Sequence, residues 1–275
     1  MRIPPAVVGV GLVLLLTGIA LPAREQLPVS SLSASGQSVS PVFEGWYPNG
    51  DGTFSLSFGY YNRNAEEVVE IPIGANNFIA PGAQNQGQPT QFQPRRNWGV
   101  FAVTVPATFG QKNEVTWTLK FRGETYAIPG RMDPRWQIDA LEGEAGAGNT
   151  PPVLTLGASG PEARGPRGAA AGPLKAVVGQ PLAISVMARD DGRGGRGAQS
   201  VTLAWFKHQG PGTVTFSQAT GRAAAAGGEA NTTATFSEPG EYVLRVRAND
   251  ISGVANAGHA QCCWTNGFLK VTVVR

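Results

Sequence analysis

The feature that most constrains the fold of this chain is a turn followed by a strongly alternating segment, within residues 233–250. The turn is Glu238-Pro239-Gly240. After it, one face carries Tyr242, Leu244 and Val246, and the other carries Val243, Arg245 and Arg247. An apolar residue at every second position of one face indicates a strand that is buried on that side. The segment therefore predicts a half-buried antiparallel strand.

Tyr242 stands two residues after the Pro-Gly turn, at the start of this strand. This is the local pattern of the tyrosine corner in immunoglobulin-like sandwiches. We therefore expect the Tyr242 ring to be buried and its hydroxyl to bind the backbone of the turn, with Trp205 in the same core. Leu244 occupies the place where an antibody domain has its second core cysteine, so no inter-sheet disulfide is expected.

Composition indicates the same class of fold for the rest of the chain. The sequence has 37 Gly and 21 Pro, and only 15% of its residues are charged. Short strands joined by Gly/Pro turns account for this composition. We predict an all-β chain of two antiparallel β-sandwich domains, residues 41–141 and 151–275, joined by a Gly-rich linker at 142–150.

The N-terminal segment predicts export. Residues 1–23 combine one Arg, an apolar run and small residues at Ala20 and Ala23, which is the pattern of a signal peptide. An uncleaved anchor and a buried helix are the alternatives, and an uncleaved anchor is the only membrane contact we expect. Residues 24–40 are Ser-rich and predicted to be a flexible leader. The mature protein is expected in the periplasm or outside the cell.

The first domain is rich in aromatic residues. These fit the core of a small sandwich, because aromatic side chains bury the most area per residue. The alternative is a sugar-stacking platform, for which Trp46, Tyr61 and Trp98 are the best candidates because each lies beside a turn or a strand end.

The second domain resembles the PKD-like, immunoglobulin-type repeats of exported bacterial proteins. The segments that carry the resemblance are VVGQPLAISVMARDDG, VTLAWFKHQGPGTVTF, TTATFSEPGEYVLRVRAND and a final VTV strand. The resemblance covers somewhat under half of the chain and implies an adhesive, spacer or binding role, mostly without catalytic residues. The W-D-F-G-D-G-T signature of the family is absent, and adjacent cysteines are unusual in it. The first domain resembles only exported bacterial proteins of unknown role.

In immunoglobulin terms, strands B, C, F and G of the second domain are residues 182–188, 201–207, 241–248 and 268–274. Residues 159–173 form a Gly/Pro/Ala/Arg insertion that is expected to bury nothing.

The sequence argues against nucleic-acid binding and catalysis. The formal net charge is only +3, and no basic patch with interleaved aromatics occurs. His208 and His259 are predicted at opposite poles of the second sandwich, and neither a G-x-S-x-G elbow nor a phosphate-binding loop is present. We therefore expect a non-enzyme, with a glycan-active enzyme as the remote alternative.

Two loops of the second domain are predicted to meet at one pole. Asp190 and Asp191 follow strand B, and Asp250 follows strand F, which runs in the same direction. Their carboxylates are candidates for a Ca²⁺ site. The alternative is that Asp and Asn only form turns at the strand ends. Arg193 lies in the same loop and is a candidate for contact with a partner.

The same pole carries His259, Cys262, Cys263 and Trp264. The two cysteines are adjacent and are the only ones in the chain, so they cannot bridge distant strands. Four states remain open: a vicinal disulfide, free or buried thiols, a soft-metal site shared with His259 and with Asp250 or water, and pairing with another molecule. We expect any partner to contact this tip, with Trp264 as an aromatic anchor.

Two classes of function follow. The first is an exported binding or adhesion module that recognises a cell-envelope glycan or protein. The second is a structural spacer that has no ligand of its own. Apart from the possible Ca²⁺, no cofactor is expected.

Overall fold

The computed structural model describes residues 33–142, 148–157, 159–193, 199–250, 255–257 and 260–275, the backbone alone at 255–257, 260 and 261. The predicted signal segment, most of the linker and His259 lie outside these residues. Leu32–Arg275 forms one compact unit. Among the described residues, no helix has the length and apolar character needed to cross a bilayer.

The first half of the chain contains eight strands and two short 3-10 helices, at Ala107–Phe109 and Pro134–Trp136. The strands are β1 (Val39–Pro48), β2 (Phe54–Asn62), β3 (Val69–Glu70), β4 (Asn77–Ala80), β5 (Gln91–Phe92), β6 (Arg95–Val105), β7 (Glu114–Phe121) and β8 (Glu124–Arg131).

The described residues of the second half form twelve strands. They are β9 (Val153–Leu156), β10 (Glu162–Arg164), β11 (Ala169–Val177), β12 (Leu182–Arg189), β13 (Ser200–Gln209), β14 (Val214–Phe216), β15 (Thr220–Ala224), β16 (Gly228–Phe236), β17 (Gly240–Asn249), β18 (Ala255–Ala257), β19 (Ala260–Cys262) and β20 (Trp264–Val274). The all-β prediction is confirmed.

The first sandwich is built around aromatic rings. Sheet β1-β2-β6 faces sheet β4-β7-β8, and β3 pairs with β5 at the side. Phe58 of β2 and Phe101 of β6 each meet Trp117 of β7 edge to face, with ring centroids 6.2 Å and 5.0 Å apart. Trp117 is fully buried, and its indole Nε1 donates to Asn77 Oδ1 at 3.0 Å. The aromatic residues of this half therefore serve mainly as core.

The second sandwich has the immunoglobulin-like arrangement. Its sheets are β10-β9-β12-β16-β14 and β11-β20-β17-β13-β15, and all neighbours are antiparallel except β11 and β20. Leu244 and Val246 of β17 are buried between the sheets with Trp205 of β13. Tyr242 is buried with them, and its hydroxyl donates to the Glu238 carbonyl oxygen at 2.9 Å, as a tyrosine corner requires.

Two segments differ from expectation. Residues 162–164 and 169–177, within or beside the insertion expected to bury nothing, are strands β10 and β11 at sheet edges. Ala163 and Ala176 are buried in the core of the second sandwich, so the expectation that the insertion buries nothing is wrong at Ala163. Main-chain pairing and small buried side chains together order these strands. Residues 33–38, assigned to a flexible leader, bind the 63–66 turn: Ala65 N donates to Ser33 O at 2.8 Å, and Gln37 N to Asn64 Oδ1 at 2.7 Å.

Replacing Tyr242 with Phe should lower the free energy of unfolding by about 1 kcal/mol, because the corner loses the hydrogen bond from the tyrosine hydroxyl to the Glu238 carbonyl oxygen. Tyr126→Phe is the matched control: its ring is half-buried and its hydroxyl bonds the Ser38 hydroxyl rather than the backbone of a turn, so it should cost less. Urea unfolding of both variants measures the difference. Equal losses would contradict the role of the corner.

Candidate ligand groove at the joint between the sandwiches

The outer face of sheet β11-β20-β17-β13-β15 packs against the first sandwich; we call this contact surface the joint. Trp264 at the start of β20 is 1% exposed, and its Nε1 donates to Gly99 O at 3.3 Å. A Cβ at Gly99, which has a φ of +44°, would lie 2.4 Å from the indole, so only Gly permits this approach. Phe268 packs against the core of the first sandwich.

His208, at the end of β13, anchors the joint by hydrogen bonds. It is 2% exposed, and its carbonyl accepts from Thr90 N at 2.8 Å. Its Nε2 lies 2.7 Å from Gly87 O, and because a carbonyl only accepts, Nε2 carries the proton. Burial first, and then the positive charge of Arg245, lower the pKa of His208 to about 3. The imidazole is therefore neutral in the folded protein at neutral pH.

Two ion pairs also cross the joint. Lys207 Nζ lies 3.0 Å from Glu70 Oε1, and the lysine side chain is buried. Arg167 Nη1 lies 3.2 Å from Asp51 Oδ2, whereas the Arg167 backbone N–H donates to the Tyr47 hydroxyl at 2.8 Å. The joint thus resembles a hydrogen-bonded interface rather than an apolar core.

A groove of about 440 Å³ opens along one end of the joint. One wall comes from the first sandwich and the other from the second, so neither half forms it alone. Its polar and charged lining side chains are Asn85, Thr104, Arg167, His208, Gln209 and Lys270, and its aromatic ones are Phe101 and Phe268.

The charges of the groove have one sign. Lys270 and Arg167 line it, and none of its described lining residues is Asp or Glu; Arg167 is also paired with Asp51 beside the groove. Asn85 and Gln209 exchange amide hydrogen bonds at 3.0 Å and 3.3 Å across the joint. Partly exposed Phe268 adds an aromatic surface, and its ring centroid lies 5.1 Å from that of His208. The groove thus offers cations, amides and one aromatic face.

The predicted loop pole does bring its carboxylates together. Burial first, and then the negative charges of Asp191 and Asp250, raise the pKa of Asp190. Asp191 Oδ2 accepts from Thr150 N and Oγ1, both at 2.9 Å, and Asp250 Oδ2 accepts from Asn149 Nδ2 at 2.7 Å. Asn149 and Thr150, at the end of the linker, are therefore hydrogen-bonded to the aspartates of this pole.

The turn alternative describes the local geometry of these aspartates. Asp190 Oδ2 accepts from Gly192 N at 3.1 Å, and Asp191 Oδ1 accepts from Arg193 N at 2.9 Å, which are Asx turns. Arg193 Nη1 donates to Gly148 O at 2.9 Å. Within the part of the chain that the structure describes, no three His, Cys, Asp or Glu residues are arranged to hold a metal ion.

Cys262 and Cys263 are joined to each other by a disulfide, and both are buried. Asn149 Nδ2 lies 3.4 Å from Cys263 Sγ. The expectation that Trp264 is an exposed anchor is wrong, because its indole is enclosed in the joint against Gly99. Of the described residues expected at this pole, Asp191 and Arg193 remain exposed.

A second concave surface lies on the first sandwich. A cavity of about 330 Å³ is lined by Phe43, Pro129, Arg131 and Trp136, among others. Trp136 is 49% exposed and is the largest exposed aromatic side chain of the described residues. Trp46, a residue favoured for a sugar platform, is buried instead, and its Nε1 donates to Asp133 O at 2.7 Å.

Sequence reasoning missed the groove residues. Arg167 lies in the segment expected to bury nothing, and Lys270 was one of the alternating residues of strand G. The available clue was His208-Gln209, a polar pair directly after an apolar strand.

Comparisons with known proteins give no family. No protein-family model and no curated protein sequence matches this chain. Among solved structures, the D00-D0 domain of intimin aligns at 13% identity and a TM-score of 0.27, over 86% of this chain and 100% of that one. Domains 4 and 5 of the S-layer protein SbsC align at 13% identity and a TM-score of 0.26, over 64% of this chain and 71% of that one. These scores are too low to assign a family or a function.

The depressed pKa of His208 makes stability depend on pH. The unfolded imidazole titrates near 6.5 and the folded one at about 3, so on acidification only the unfolded chain gains a proton in this window. The free energy of unfolding should therefore fall by up to about 1.4 kcal/mol per pH unit below pH 6.5 from this residue.

His208→Gln keeps a donor for Gly87 O but does not titrate. Between about pH 6.5 and about pH 4.5 the variant should lose roughly 2 kcal/mol less stability than the wild type in urea unfolding. Parallel pH profiles for the two proteins would contradict the assignment.

The disulfide is checked by intact mass. The protein purified without reductant should be about two mass units lighter than its reduced form, because two thiol hydrogens are lost. Iodoacetamide should label the denatured chain at both cysteines only after reduction. Labelling without reduction would show free thiols.

Proposed function

We propose that this chain is a non-catalytic, exported binding module of the cell envelope that holds an acidic glycan in the groove between its two sandwiches. The observation that carries the proposal is the lining of that groove, with cationic, amide and aromatic side chains and no carboxylate among its described residues. A volume of about 440 Å³ lies within the range of roughly 300–1,000 Å³ that is usual for small-ligand sites.

Each type of lining side chain suits a sugar acid. Lys270 and Arg167 favour carboxylate or phosphate groups through charge-assisted hydrogen bonds. The amide oxygens of Asn85 and Gln209 can accept from sugar hydroxyls, and the second Asn85 Nδ2 hydrogen can donate to one. Phe268 offers an apolar ring face at the same place.

Binding rather than cleavage fits this lining. Most glycosidases place two carboxyl groups on opposite sides of the scissile bond. Such a pair is missing from the described lining of the groove. A protein partner would typically bury roughly 800 Å² on each side and would need surface beyond the groove.

Two sequence features support export. One is the signal-peptide pattern of residues 1–23. The other is the joined pair Cys262–Cys263, since structural disulfides belong mainly to oxidising compartments. We further propose that the second sandwich is a PKD-like repeat, which fits an adhesive or binding role.

The test is binding of the mature chain to acidic and neutral oligosaccharides of equal length by calorimetry. Lys270→Glu should weaken binding of the acidic ligand about tenfold or more, since it removes one charge-assisted contact and adds repulsion. Lys175→Glu is the matched control: it makes the same charge change at an exposed position of β11 outside the groove.

Three outcomes decide the proposal. Weakening by Lys270→Glu but not by Lys175→Glu supports it. Equal effects of both variants, or equal affinity for neutral and acidic sugars, would overturn it. Failure of every glycan to bind would leave the protein-partner or spacer alternative. Parallel runs with Ca²⁺ and with EDTA test whether the Asp190 pole contributes a metal.

A further inference from the structure

A pair of arginines lies deeper in the joint than the groove. Arg245 and Arg247 are on the face of β17 that points at the first sandwich. Arg245 is 2% exposed, and Arg247 is partly buried. Their guanidinium carbons lie 4.5 Å and 5.7 Å from the centroid of the same ring, that of Phe206. Two positive charges therefore share one buried site.

The described surroundings of the pair contain no counter-charge. Arg245 Nη1 donates to the Asn266 Oδ1 amide oxygen at 3.3 Å, and the Nε atoms of both arginines have no hydrogen-bond partner among the described residues. Tyr60 faces both arginines but is a neutral phenol. The buried carboxylate of this region, Glu44, is paired with Arg96 at 2.6 Å.

The lowered pKa values of both arginines agree with positive charge that is buried without a negative partner. Burial first, and then the like charge of Arg247, lower the pKa of Arg245 to about 9. Burial also lowers the pKa of Arg247. The group that opposes these shifts in both cases is Tyr60. Buried cations are normally paired, because desolvation without a partner is costly.

We propose that Arg245 and Arg247 form an oxyanion-binding site that takes a carboxylate, sulfate or phosphate group. The guanidinium fork matches the planar or tetrahedral oxygens of these anions, and the unpartnered Nε groups supply donors. Both guanidinium carbons lie within cation–π distance of the Phe206 ring. A lysine at either position would lack the forked set of N–H donors of a guanidinium, so arginine suits an oxyanion ligand better than lysine does.

The site adjoins the groove but does not depend on its function. Phe268 and Val243 line the groove, while Phe268 is the cross-strand neighbour of Arg245 and Val243 lies two residues before it. The anion can come from an acidic glycan in the groove or from free phosphate or sulfate. Each source uses the same chemistry and is a separate arm of the test.

The test is a titration of the full mature chain with sodium phosphate and sodium sulfate against sodium chloride at equal ionic strength. Melting temperature and calorimetry are the two readouts. Both oxyanions should raise the melting temperature in a saturable manner, because a ligand that binds only the folded state stabilises it. Arg247→Gln should weaken the apparent affinity about tenfold. Arg247→Lys, which keeps the charge without the fork, should recover only part of it.

Two comparisons separate the site from general salt effects. Arg222→Gln removes the same charge from an exposed position of the same sheet, on β15, and should respond to oxyanions as the wild type does. In chloride, Arg247→Gln should melt no lower than the wild type, since it removes an uncompensated buried charge. This second readout detects a variant that merely fails to fold.

A galacturonic acid oligosaccharide and its neutral counterpart form the glycan arm. Loss of the phosphate, sulfate or uronate response in Arg247→Gln, with Arg222→Gln unchanged, supports the site. Equal responses in wild type, Arg247→Gln and Arg222→Gln, or no response in the wild type, would overturn it. Because Lys270→Glu tests the groove and Arg247→Gln tests the pair, either proposal can fail alone.

Discussion

The burial of one sheet face against the first sandwich is the contact on which the rest of this structure depends. In a free immunoglobulin-like domain the outer face of β13, β17 and β20 is in water, and polar residues are expected there. Here the same face is covered, so its polar groups need partners inside the protein. Asn266 is one polar residue that finds such partners: its amide donates to Gly99 O at 2.7 Å and to Pro166 O at 2.8 Å.

The groove is a consequence of that contact. Its two walls belong to different sandwiches, so its shape holds only while His208 and Gln209 remain bound to the 85–90 loop. Hydrogen bonds rather than apolar area carry much of this joint, and a buried hydrogen bond is costly to lose because one partner is left unsatisfied. We infer that substitutions at the joint affect ligand binding and stability together, whereas substitutions at the groove rim affect binding alone.

Local pattern predicted the strands but not what covers them. The alternation after Gly240 placed Tyr242 and Leu244 in the core correctly, because period-2 spacing is set by strand geometry alone. The same alternation put Arg245 and Arg247 on the opposite face, where a single domain has solvent. Only the long-range contact with the first sandwich buries them, and no local spacing encodes that contact.

The wrong expectation for Trp264 also arose because local sequence does not encode a long-range contact. Antiparallel topology placed Asp190 and Asp250 at the same pole, as the structure has them. Trp264 was expected in the same loop as the two cysteines, before the start of strand G at residue 268. In the structure β20 begins at Trp264, four residues earlier than its apolar pattern suggested, and this places the indole in the joint. The small residue that receives it, Gly99, is more than a hundred positions away in the sequence.

The exposed and the buried positive charges have different roles in binding. Lys270 is at the surface, where interactions are screened over a Debye length of about 8 Å at physiological ionic strength. Such a charge attracts acidic ligands and loses most of its effect in salt. Arg245 is enclosed between two sandwiches, where screening is weak and an unpaired charge is costly. An anion that reaches both therefore gains a salt-sensitive attraction at the rim and a salt-resistant one at the pair. The chain retains one buried and one partly buried arginine at a cost to its own stability, and a ligand that supplies the missing negative charge offsets that cost.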